Sequence, residues 1–205
     1  MWYLIDSHQY FERRNDAPFF NAIVPIFLIG GLAFISTISN AINISTSGSE
    51  ESLLVVVGYM GEGWFMYSFL SSFVKWVIVA VILYGFIMWF GLVGIDMFTV
   101  LSLSGMGFTP IVFSYLFDAV IAVHYSFFTP VVPGEVSISP VSSGIFGIFP
   151  AIISTLIYIV CVAWAAHIWI GGIHQIGGVT PRKSTLISIG VGFGLLLERV
   201  VISVV

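Results

Sequence analysis

Three ionisable residues lie inside long apolar stretches, where a charge is costly and therefore informative. Asp118 falls near the middle of the run Ile111–Phe128, and Glu198 and Arg199 fall late in the last apolar run. A charged side chain near the centre of a bilayer costs roughly 2.5–3.5 kcal/mol on insertion scales, and it usually has a partner. These residues indicate an intramembrane charge pair or, alternatively, part of a proton or ion path.

Arg199 is the predicted partner of Asp118. With both helices running from the same side, Arg199 lies about 7 Å further along, at 1.5 Å per residue. A long guanidinium side chain can reach back across this offset to a carboxylate. The alternative is that Arg199 reaches outward to Glu198 or to headgroups, which leaves Asp118 protonated or bonded to Tyr84 or Tyr158. We expect the Asp118–Arg199 pair, which would fix the third predicted helix against the fifth.

Other patterns of catalysis or metal binding are weak. His124 and His167 are predicted near opposite faces of the membrane, and a glycine pair separates His167 from His174. The chain has no metalloprotease, phosphate-loop, dinucleotide or nucleophile-elbow motif. Its one cysteine, Cys161, excludes an intramolecular disulfide. We therefore expect no metal ion, no cofactor and no enzymatic activity.

The composition is that of an integral membrane protein. Of its 205 residues, 59% are hydrophobic and 8% are charged, whereas soluble domains carry about a quarter charged residues. The net charge of −4 and the lack of a basic run exclude nucleic acid as a partner. The predicted partners are the lipid bilayer and other membrane subunits, or further copies of this chain.

Hydropathy and length predict an all-α, polytopic protein with five transmembrane helices, since about 20 apolar residues cross a bilayer. Residues 1–17 form a short amphipathic lead-in, and residues 18–205 form one membrane domain. The predicted crossings are Pro18–Ile42, Ser72–Val93, Met106–Phe128, Ile145–Ile170 and Ser184–Val205.

Short amphipathic segments are predicted between these crossings. Met97–Pro110 is predicted to be a connector that re-enters the membrane at a Gly/Pro joint, or else an ordinary loop. Leu53–Met60 is too short to span and is predicted to be interfacial or re-entrant. Gly171–Lys183 is predicted to be a glycine-rich connector. Lys75 is placed at the outer end of the second crossing, where its long stem can reach the interface.

The basic residues predict the orientation. Arg13 and Arg14 precede the first crossing, and Arg182 and Lys183 precede the fifth. Because four crossings separate these pairs, both fall on one side, which the positive-inside rule makes cytoplasmic. We therefore predict a multi-pass cell-membrane protein with a cytoplasmic amino terminus.

Three features of the chain form a recognisable pattern. They are Phe19-Phe20 after the polar segment Tyr10-Phe11-Glu12-Arg13, the connector Met97–Phe113, and the run from Trp164 through His167, Gly171-Gly172 and His174 to Thr180-Pro181-Arg182-Lys183. In these features the chain resembles the Yip1-domain family of five-helix membrane proteins.

The resemblance implies a non-enzymatic protein that organises membranes or serves as an accessory subunit of a larger membrane complex. The alternative is a small transporter or permease component, with Asp118 in its pathway. A transporter would need a polar cavity lined by more residues than Asp118, Tyr84, Tyr158 and Ser114.

Overall fold

The computed structural model describes residues 6, 7, 9, 10, 19–46, 50–90, 95–128 and 145–204, and these residues contain no β-strand. The predicted all-α class is therefore confirmed for this part of the chain. Its long helices are α1 (Phe19–Thr46), α2 (Glu50–Trp89), α3 (Met97–Gly107), α4 (Thr109–Phe128), α5 (Ile145–Gly177) and α6 (Pro181–Val204). Most of the predicted lead-in, including His8, Arg13 and Arg14, lies outside the described residues.

Three helices are long and apolar enough to cross a membrane, and their candidate spans are Phe19–Ser39, Phe65–Trp89 and Ile152–Ile176. A fourth span results if α3 and α4, which meet at 41°, are taken together. Helix α6 carries four charges, at Arg182, Lys183, Glu198 and Arg199, and is not among the candidates. Multiple crossings are thus supported over the described residues, whereas the count of five is not.

The second helix differs from its prediction. Helix α2 runs without interruption from Glu50 to Trp89, so Leu53–Met60 is part of this helix and not a separate interfacial piece. The glycines at positions 58, 61 and 63 indicated a bend, yet a helical glycine costs only about 1 kcal/mol relative to alanine. The candidate span begins at Phe65, which places Lys75 well inside it and not at its outer end.

The predicted joint in the middle of the chain is a sharp bend between α3 and α4. Asp96 caps the start of α3, because its carboxylate accepts hydrogen bonds from the backbone N–H and the hydroxyl of Thr99. These bonds lower the pKa of Asp96 below its usual value. Helix α3 ends at Gly107, and α4 begins with Thr109 and Pro110. Proline suits this first turn because the N–H that it lacks would have no acceptor within the helix.

From Val100 to its end at Gly107, helix α3 is largely buried inside the bundle, although the sequence predicted an amphipathic connector. Two glycines allow this close packing. A Cβ on Gly105 would lie 2.6 Å from the carbonyl oxygen of Ala22 in α1, and one on Gly107 would lie 2.0 Å from Nε1 of Trp169 in α5. Indole N–H groups bind two carbonyl oxygens of α3, since Trp76 donates to Leu101 O and Trp169 donates to Ser104 O.

Helix α5 extends seven residues beyond the predicted fourth crossing. Gly171 and Gly172 lie within this helix and not in a connector, because both positions are in tight contact with other segments. A Cβ on Gly172 would lie 2.0 Å from Leu103 of α3, and one on Gly171 would lie 2.5 Å from the Ser7 hydroxyl. The helix ends before Gly178, whose φ of +61° favours glycine.

Candidate functional site

The candidate site is a cluster of four charged side chains that joins three helices of the bundle. Lys75 belongs to α2, Asp118 to α4, and Glu198 and Arg199 are consecutive residues of α6. Helix α5 adds the Ser154 hydroxyl, so that four helices meet at this cluster. The residues come from segments far apart in sequence, and only the fold brings them together.

One half of the cluster contains the two residues that the sequence singled out as a pair. Arg199 Nη2 lies 2.8 Å from Asp118 Oδ2 and 3.0 Å from Ser154 Oγ. The Ser154 hydroxyl in turn donates a short hydrogen bond to Asp118 Oδ1. Asp118 therefore accepts through both carboxylate oxygens, and one guanidinium nitrogen bridges α4 and α5. This arrangement compensates two opposite charges by direct contact.

The other half of the cluster is an ion pair that the sequence did not predict. Lys75 Nζ lies 2.9 Å from Glu198 Oε1 and also donates to the Tyr115 hydroxyl at 3.3 Å. Glu198 thus pairs with α2 and not with its neighbour Arg199. Each of the two consecutive charges on α6 is matched by an opposite charge on a different helix, which ties α6 to α2 and α4 at the same level.

Tyr158 and Tyr84, the two tyrosines named as alternative partners of Asp118, have other positions. The Tyr158 ring is buried, and the Arg199 guanidinium lies over it, 5.2 Å from the centroid. The Tyr158 hydroxyl donates to Leu195 O at 3.4 Å. Tyr84 is half-buried and packs against the apolar core, nine residues beyond Lys75 on α2.

Two contacts define how α2 and α6 lie against each other. Lys75 meets Glu198 in the bundle, and Lys183 Nζ lies 3.4 Å from the carbonyl oxygen of Phe90. The two contacts are fifteen residues apart in each segment, from Lys75 to Phe90 and from Lys183 to Glu198. Their order along the chain is opposite in the two segments. The two helices are therefore antiparallel, and the contacts are about 22 Å apart at 1.5 Å per residue.

A cavity of about 640 Å³ lies beside the Lys75–Glu198 pair. Lys75, Tyr115 and Glu198 line it, whereas Asp118 and Arg199 do not. Its other walls come mainly from α2 and α6, including Ser71, Ile78, Ile82, Gly190 and Gly194. The volume falls within the range of small-molecule sites in proteins. The cavity is the feature of the site with room for a ligand.

Sequence reasoning missed Lys75, Tyr115 and Ser154. A usable signal existed for Lys75, since it lies ten residues into the apolar span that starts at Phe65. A lysine at that depth needs an acidic partner, and the predicted Asp118–Arg199 pair leaves Glu198 without one. Tyr115 and Ser154 carried no such signal, because tyrosine and serine are common in apolar helices.

The candidate metal ligands are not brought together. Among the residues that the structure describes, no group of three or more histidine, cysteine, aspartate or glutamate side chains could hold a metal ion. His174 Nδ1 lies 2.5 Å from Val179 O, at the end of α5. Cys161 is buried in the apolar core. The chemistry visible at the cluster is charge compensation and hydrogen bonding between helices.

Comparisons of the chain with protein-family models, with curated proteins and with solved structures give no match.

Proposed function

We propose that this chain is a non-enzymatic, multi-pass membrane protein that associates with other membrane chains, as its resemblance to the Yip1-domain family implies. The observation that supports this role best is the pairing of the four charges of the cluster. Lys75 is paired with Glu198 and Asp118 with Arg199, so the charges connect helices to one another. A bundle fixed in this way is suited to present its outer walls to partners.

The transporter alternative had placed Asp118 in a pathway. Both carboxylate oxygens of Asp118 are bonded, to Arg199 and Ser154, and Asp118 does not line the cavity. A pathway residue must exchange its partners during each cycle, whereas this carboxylate is held from two helices at once. The geometry of Asp118 therefore favours the structural role.

The outer walls of the bundle are where partner chains would bind. Large apolar side chains are exposed on three helices, for example Leu70 on α2, Val160 on α5 and Phe193 on α6, each more than half exposed. In the proposed orientation the amino terminus and the start of α6 are cytoplasmic, because Arg182 and Lys183 lie there.

Photo-crosslinking in native membranes tests the association. A photoreactive phenylalanine derivative replaces Leu70, Val160 or Phe193 in separate full-length variants, and the products are separated by mass and identified. We expect at least one wall to give a discrete crosslinked protein, which is either a second copy of this chain or another membrane subunit. Replacement of the fully buried Trp169 by the same derivative is the control and should give no intermolecular product.

The same three variants can refute the proposal. Crosslinks to lipid alone at all three walls, together with no co-purifying chain in mild detergent, would exclude a role as a subunit.

A further inference from the structure

The cavity beside the Lys75–Glu198 pair opens on the outside of the bundle. Several of its wall residues are also exposed, including Val74 and Ile78 of α2 and Gly190 and Gly194 of α6. The apolar exterior of a membrane bundle faces lipid, so this opening leads to hydrocarbon and not to bulk water. The groove, defined here as the cavity between α2 and α6, is therefore accessible from within the bilayer.

The polarity of the groove changes along its length. On α2, the wall residues Tyr67, Ser71, Ser72 and Lys75 are polar, whereas Ile78, Val79 and Ile82 further along are apolar. Because α6 is antiparallel to α2, Glu198 lies at the polar end and Gly190 at the apolar end. Tyr67 is near the start of the candidate span, so the polar end faces one membrane surface and the apolar end the interior.

The apolar half of the groove has room for a chain. A Cβ placed on Gly190 or on Gly194 would meet no atom within 4 Å. These glycines leave the space next to Ile78 and Ile82 unfilled. Hydrocarbon is the most favourable occupant of an empty apolar space beside lipid, because it supplies the van der Waals contacts that the wall atoms lack.

The polar end carries one positive and one negative group, so its net charge is zero. Lys75 Nζ has three protons, and two of them are accounted for by Glu198 and Tyr115. A ligand with a net charge would leave that charge uncompensated in apolar surroundings, which is costly. A zwitterionic or uncharged polar group can instead hydrogen-bond to the pair and leave the site neutral.

We propose that the groove between α2 and α6 binds one zwitterionic or uncharged lipid, with its polar group at Lys75, Tyr115 and Glu198 and a hydrocarbon chain along Gly190 and Gly194. A partner helix is the competing occupant, but a helix would bury the Lys75–Glu198 pair against further protein, and the polarity gradient matches a lipid. The site does not depend on the proposed association with other chains.

Native mass spectrometry of the full-length protein tests this site. The protein is reconstituted into vesicles of equimolar phosphatidylcholine and phosphatidylglycerol, extracted in mild detergent, and analysed for retained lipid. We expect one retained phosphatidylcholine per chain. Gly190→Leu and Gly194→Leu should each lower this retention about tenfold or more, because the leucine side chain occupies the space of the hydrocarbon chain and a bound lipid would overpack the groove. Gly85→Leu is the matched control, because Gly85 is also in open space but does not line the groove.

A second variant tests the polar end of the groove independently of its apolar half. Lys75→Met combined with Glu198→Leu removes both charges together, so the retained lipid should lose its preference and approach the vesicle composition. Protection of the buried Cys161 thiol from reagent verifies that each variant is folded. Equal retention in the Gly190, Gly194 and Gly85 variants would overturn the proposal. A preference for phosphatidylglycerol would do so too, as would wild-type protein that retains a second chain and no lipid.

Discussion

Breaking the contact between Asp118 and Arg199 is the most direct test of the charge cluster. Asp118→Asn and Arg199→Gln each remove one charge and keep most of the side-chain volume. Each single change leaves the opposite charge without its partner, whereas the double change leaves two neutral groups that can still hydrogen-bond. The two residues should therefore not contribute independently to stability.

The structure sets the size of the effect. Removing one partner of a fully buried pair costs about 3–5 kcal/mol. The side chains of Arg199 and Asp118 keep 32% and 19% of their surface accessible, so the cost is smaller here. We expect each single change to cost about 2 kcal/mol, close to the value of a hydrogen bond to a charged group. The double change should cost less than either single change and so recover much of the loss, which makes the coupling energy more than about 2 kcal/mol.

The single cysteine provides the assay. Cys161 is buried in the core, so a thiol-reactive dye reports unfolding of the purified protein during heating in detergent. A loss of about 2 kcal/mol lowers the midpoint of unfolding by roughly 4–8 °C for a chain of this size. Asp96→Asn is the control, because Asp96 lies outside the cluster, and its loss should add to that of Arg199→Gln. If the Asp118 and Arg199 losses add to within about 0.5 kcal/mol, the residues are not coupled and the reasoning is wrong.

Two further predictions concern packing and orientation. Gly107→Ala should cost about 1–3 kcal/mol by overpacking against Trp169, whereas Gly194→Ala, in open space, should be neutral or slightly stabilising; equal effects in the Cys161 assay would contradict this packing of α3. In a Cys161→Ala background, an impermeant thiol reagent applied to intact cells should label Gly63→Cys and not Thr180→Cys. These positions lie at opposite ends of the antiparallel α2–α6 pair, and the reverse labelling would invert the proposed orientation.

The sequence predicted the features that depend on local pattern. Apolar runs long enough for membrane helices identified the helical class, and Pro110 with its neighbouring glycines marked the break between α3 and α4. Asp118 and Arg199 stood out because charges are costly in apolar segments. In each case the signal lies within one short stretch of the chain, and no knowledge of its neighbours is required.

The features that were missed depend on contacts between distant segments. Gly171 and Gly172 indicated a connector, yet they remain helical because Ser7 and Leu103 pack where side chains would lie. The sequence predicts Lys75 at an interface because the predicted crossing begins at Ser72, and its partner Glu198 is 123 residues away in the sequence. Burial of α3 depends on indole donors from two other helices. Local sequence rules contain no information on which distant segment will pack where.

The hydrogen bonds that hold α3 affect how the protein folds while it is being synthesised. Trp76 precedes α3 in the chain, so Leu101 O can gain its donor soon after α3 leaves the ribosome. The donor to Ser104 O is Trp169, which is synthesised 65 residues later. Helix α3 therefore remains incompletely packed until α5 has been inserted. If translation stopped before Trp169, the nascent chain would lack the donor to Ser104 O. Helix α3 would then stay exposed to a membrane quality-control protease until α5 is synthesised.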